Sequence, residues 1–88
     1  GSVPEGSRAD VQRAVQAANS SWRNWAKRTA FERAAIVEHA ARIVHERRDE
    51  LARVLTLEQG KPLYTEAYVE VDETIDYLKM TAADVVRL

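Results

Sequence analysis

The sequence predicts an all-α fold of four to five amphipathic helices joined by short turns. Three observations carry that expectation. Apolar residues recur at three- and four-residue steps along most of the chain, strand-like alternation is absent over any useful length, and helix-starting and helix-stopping residues fall between the periodic segments.

After a turn-like Pro4-Glu5-Gly6 lead, Ser7 is placed to accept a hydrogen bond from the first free amides, and Asp10 sits three residues on near the positive helix end. A first helix therefore starts here, with Val11, Ala14, Val15, Ala18, Trp22 and Trp25 on one face. Asn19-Ser20-Ser21 offers the backbone alternative hydrogen bonds, which predicts a break or tightened turn before the tryptophans. Thr29-Ala30-Phe31-Glu32 has the T-x-x-E capping form, so a second helix begins at about Ala30 and turns Phe31, Ala35, Ile36, Ala40, Ile43 and Val44 inward. Asp49 is placed to cap a third helix carrying Leu51, Val54, Leu55 and Leu57 inward. Gly60 suits the left-handed conformation that closes a helix, and Pro62 cannot continue one. From Leu63 onward, Ala67, Val71, Ile75, Leu78, Ala82 and Val85 form the stripe of a last long helix, with Glu66, Glu70, Glu73 and Lys79 on its outer face.

With 88 residues and no linker, the chain is a single helical subdomain over residues 3–88, its core thin because many apolar residues are alanine. Gly1-Ser2 reads as a remnant of tag removal. Acids and bases are interleaved and the formal net charge is -1, which argues against a nucleic-acid partner. No apolar run approaches the roughly 20 residues that span a bilayer and no signal-peptide pattern opens the chain, so no membrane role and a cytoplasmic location are expected.

Catalytic chemistry is sought and mostly not found. Ser20-Ser21 lacks the glycine-framed elbow of a serine nucleophile and reads as a turn or cap. His39 and His45 are six residues apart, which on a helix points them about 120° away from one another and reads as solvated or core-edge histidine. Glu46 with Glu50 and Glu66 with Glu70 are one turn apart and read as solvated faces. Trp22 and Trp25, near Arg23 and Lys27, read as aromatic packing into a core. Gly1, Gly6 and Gly60 are isolated, so neither a dinucleotide fingerprint nor a phosphate loop is present, and the chain has no residues to cradle NAD by itself.

One series of segments has a further meaning. Asp10-Val11 through Ala17-Ala18, Trp25, Glu32-Arg33-Ala34-Ala35-Ile36, Arg47-Arg48-Asp49-Glu50-Leu51-Ala52, Leu55-Thr56-Leu57-Glu58-Gln59-Gly60-Lys61-Pro62 and Ile75-Asp76-Tyr77-Leu78 resemble, in order and spacing, the N-terminal helical segment of NAD(P)-dependent aldehyde dehydrogenases. The resemblance runs from Val3 to Leu88 and covers only the helices that precede the nucleotide-binding sheet in that family. It implies a parent enzyme that oxidises an aldehyde to a carboxylic acid with NAD(P)+ through a cysteine thiohemiacetal. This chain has no cysteine, and the family's catalytic and cofactor-binding residues lie beyond it, so the chain alone is expected to be inert, structural and free of cofactor.

Two assignments transfer by position. Glu58 matches a position that in some members helps bind a structural monovalent cation. Val69, Glu70, Glu73 and Tyr77 match the helix that contributes to the substrate channel. Tyr64, Tyr68 and Val69 depart from the small residues common there.

The competing expectation is an independent helical interaction module that binds a protein through Val71, Ile75, Leu78, Ala82 and Val85. Under either reading, apolar faces without a sheet to cover them predict self-association, or association with the rest of the parent subunit.

Overall fold

Two capping boxes set where the first helices begin. Ser7 Oγ accepts from the Asp10 amide while the Asp10 carboxylate accepts from the Ser7 amide at 2.8 Å. Thr29 and Glu32 repeat the arrangement, the Glu32 carboxylate accepting from the Thr29 amide at 2.7 Å. In the computed structural model, which describes residues 1–87, these boxes open α1 (Arg8–Lys27) and α2 (Ala30–Glu46); α3 (Arg48–Gln59) and α4 (Tyr68–Val85) follow. A wide π-helical turn over Leu63–Ala67 leads into α4. No strand occurs among the described residues, and none of their helices is long and apolar enough to cross a membrane.

The chain is open rather than rounded. Its radius of gyration is 16.6 Å and its extents are 42 × 37 × 18 Å, against about 12 Å for a compact domain of this length. The cause is α1, which buries no residue and makes no extended packing with another element. It runs unbroken through Asn19-Ser20-Ser21, contrary to the break expected there. The Ser20 and Ser21 hydroxyls donate back to the Ala17 carbonyl at 3.0 and 2.7 Å, satisfying the serines inside the helix rather than against it. Trp22 and Trp25 are likewise not core residues; they are 55% and 43% exposed.

The packed body is α2 laid along α4, with α3 and the π-turn closing one end. Ala52, Ala67, Val71 and Ile75 form its core cluster, with Val44, Leu51, Leu55, Leu63 and Tyr68 packed against it. Ala34, Ala41 and Ala82 are also buried. Small side chains at the contacts let the helix axes approach closely.

The last stripe matches the sequence expectation: Ala67, Val71, Ile75 and Ala82 are buried, Leu78 and Val85 partly so. Because these residues already pack internally, they are not a free surface for a protein partner, which removes the basis of the interaction-module reading.

The inward faces of α2 and α3 are rotated from those expected. On α2, Ala34, Val37, Ala41 and Val44 turn inward, while Phe31, Ile36 and Ile43 are exposed. This helix is apolar on more than one side, and periodicity alone does not choose between sides. On α3 the inward residues are Leu51, Ala52 and Leu55, with Val54 and Leu57 exposed. Asp49 lies inside the first turn of α3; Arg47 holds the capping position without a side-chain cap.

Candidate functional site

The Gly60-Lys61-Pro62 segment is built from the residue types such a turn requires. Gly60 closes α3 at φ 74, ψ 14, the left-handed region open to glycine without strain, and its amide donates to the Thr56 carbonyl at 2.8 Å. Lys61 then reaches across to pair with Glu70 on α4. Pro62 has no amide of its own, but its carbonyl accepts from both Glu66 and Ala67, at 3.2 and 3.0 Å. The bond from Ala67 spans five residues and widens the turn into a π-helix. Tyr64 and Tyr68 stack one turn apart with ring centroids at 5.8 Å.

A second clamp joins α3 to α4. Arg48 Nε and Nη2 donate to the two Asp72 carboxylate oxygens at 2.5 and 2.6 Å, and the guanidinium lies 4.3 Å from the centre of the Tyr68 ring. Hydrogen bonding to Arg48 holds the Asp72 carboxyl below its usual value and raises the arginine in turn. Near the start of α3, Arg47 grips Glu50 through two bonds of 2.9 and 2.6 Å, which lowers the Glu50 carboxyl. Sequence spacing did not reveal Arg48–Asp72 or Lys61–Glu70. Both join elements across a turn, where neither three- nor four-residue periodicity applies.

These clamps aim α4 so that its outer face carries three of the four positions drawn from the resemblance, Val69, Glu73 and Tyr77. Glu73 and Tyr77 come together with Asp76 and Met80 around a shallow depression of about 250 Å³. Val69 is 46% exposed. Glu70 is drawn aside by Lys61 and does not line that depression. Glu58 is exposed in the last turn of α3, and no three metal-ligating side chains gather among the described residues.

A further depression of about 380 Å³ is lined by Glu38, Ala41, Arg42, His45 and Lys79 between α2 and α4, and one of about 190 Å³ by Arg53, Thr56, Leu57 and Leu63. The residues present do not fit a dinucleotide. The depressions are open, the glycines isolated, and the one lysine beside a glycine is already paired.

Across residues 1–88 the sequence matches the model of the aldehyde dehydrogenase family. It is 37% identical over 87 residues to succinate-semialdehyde dehydrogenase (NADP+) 2 of Schizosaccharomyces pombe, an alignment covering 99% of this chain and 17% of that protein. No solved structure matches the chain. The chain belongs to the aldehyde dehydrogenase family, and it spans 17% of the length of this curated relative.

Proposed function

We propose that this chain is the helical portion of an aldehyde dehydrogenase that covers part of the cofactor domain and shapes the approach of substrate, while the redox chemistry resides in the rest of the subunit. The observation carrying this reading is the combination of a family match along the whole chain with apolar faces on α1 and α2 that nothing in the chain covers. The parent reaction oxidises an aldehyde to an acid with NAD(P)+, and a cysteine-free chain supplies no thiolate to it. Val69, Glu73 and Tyr77 on the outer face of α4 border the channel, and Glu70 is the residue that Lys61 holds beside it. Glu58 contributes one oxygen to a monovalent-cation site completed by groups outside this chain.

The test is complementation. The purified chain, offered succinate semialdehyde and other aldehydes with NAD+ or NADP+, produces no reduced nicotinamide. Added to the separately expressed remainder of its parent subunit, it restores aldehyde oxidation. Turnover by the chain alone, or a remainder indifferent to its addition, overturns the proposal.

A further inference from the structure

The hollow between α2 and α4 gathers cations from two helices. Ala41, 2% exposed, forms its floor, and the small side chain there leaves a space of about 380 Å³ beside the line where the helices pack. Arg42 and His45 rise around it from α2 and Lys79 from α4, with Glu38 the one acid on the wall. All four side chains are exposed, and none has an ion-pair partner among the described residues. Asp72 on α4, whose carboxyl feels the charge of His45, is already held by Arg48 from α3 and is not free to neutralise the group.

This hollow is separate from the faces read above as lying against the rest of the parent subunit. At about 100° per residue, Lys79 points about 160° away from Tyr77 and about 120° away from Glu73 on the outer face of α4. On α2, His45 points about 160° away from the exposed Ile43. The cations therefore occupy the flank where α2 meets α4.

Their number and chemistry restrict what they can hold. Arg42, Lys79 and Glu38 sum to +1, and a protonated His45 raises the sum to +2. A guanidinium fork spans two oxygens, while an ammonium and an imidazolium each take another from their own direction. A planar carboxylate offers two oxygens, too few for three donors arriving from two helices. A tetrahedral oxyanion offers four.

We propose that this hollow binds a tetrahedral dianion of the phosphate type, held by Arg42, His45 and Lys79 and taken up more readily when His45 is protonated. Glu38 opposes the ion and keeps its affinity low, in the millimolar range, as does the hydration that exposed cations retain. The site belongs to the chain as it stands and does not rest on the enzymatic reading above.

The two histidines supply the readout and its control. His39 lies six residues from His45, about 120° round α2, and does not line the hollow. Sulfate is the probe, because it keeps both charges throughout the range in which an imidazole titrates. In NMR titrations that replace chloride by sulfate at constant ionic strength, the ring protons of His45 are expected to shift and saturate while those of His39 stay in place. Affinity falls about three-fold or more between about pH 5.5 and about pH 8, as the imidazole loses its charge. Arg42→Gln/Lys79→Gln weakens binding about ten-fold or more, with far-UV circular dichroism confirming the helices, and Glu38→Gln strengthens it. At about pH 7.5, where a phosphate ester carries most of its second charge, the tighter of inorganic phosphate and glycerol phosphate identifies the source as a free ion or the end group of an ester. Equal shifts at both histidines, a His45 shift that acetate reproduces, or binding that survives the double variant overturns the proposal.

Discussion

Arg48 and Asp72, twenty-four residues apart, are joined by two hydrogen bonds that tie the first turn of α3 to the second turn of α4. The arginine also lies over Tyr68, so one side chain fixes three positions at once. The sign of its pH dependence follows from the lowered Asp72 carboxyl. A carboxyl whose folded value is below its unfolded one contributes fully above the unfolded value, about 3.9, and loses that contribution as pH falls through the folded value. Asp10 and Glu32 in the capping boxes and Glu50 beside Arg47 are shifted the same way. Thermal denaturation is therefore expected to hold steady near neutrality and to fall in temperature below about pH 4. Asp72→Asn lowers the neutral melting temperature and flattens part of the acid limb; an unchanged acid limb counts against the clamp.

Ile75 is the largest side chain in the core cluster and is 4% exposed. Replacing it by alanine removes a branched side chain among Ala52, Ala67 and Val71, where neighbouring alanines have no length with which to fill the gap. Ile75→Ala is expected to cost about 2–5 kcal/mol, most of the stability a body this small can have. Urea titration followed by circular dichroism measures it. Phe31→Ser provides the contrast: Phe31 is 76% exposed, so its loss leaves the urea midpoint nearly unmoved.

At Gly60 the prediction concerns backbone rather than packing. An added Cβ meets nothing within 4 Å, so space is not the constraint, but φ of 74 is strained for any residue with a side chain. Gly60→Ala is expected to cost about 1 kcal/mol, and Gly60→Asn less, because asparagine tolerates this region. Equal costs for the two would show that the glycine matters for another reason.

The sequence was most legible where a physical rule had a single solution. Both capping boxes and the Gly60 stop are determined by a few residues close in sequence. The stripe from Ala67 to Val85 is read correctly because its opposite side holds acids. Where two sides of one helix are apolar, as on α2, periodicity could not select the buried one; contact with α4 did, choosing Ala34 and Ala41 over Phe31 and Ile43. The tryptophans of α1 were expected in a core, yet the two-residue junction at Arg28-Thr29 carries that helix away from the body. Of the four positions drawn from the resemblance, Val69, Glu73 and Tyr77 share the outer face of α4, whereas Glu70 could not be placed from sequence because its partner Lys61 lies across a turn.

The last prediction concerns α1 itself. Helix formation is cooperative but marginal in water for a 20-residue segment that packs on nothing, and α1 buries no side chain. Its backbone hydrogen bonds therefore open independently of the body, whereas those of α2 and α4 open only when the Ala52–Ile75 core separates. Hydrogen exchange followed by mass spectrometry on dilute protein is expected to show amides of Arg13–Trp25 exchanging far ahead of those in α4. Ser7→Ala accelerates them further by removing the hydroxyl that caps the helix, an effect of about 1 kcal/mol on helix stability. Uniform protection along the chain at low concentration would show that α1 is held by the body after all.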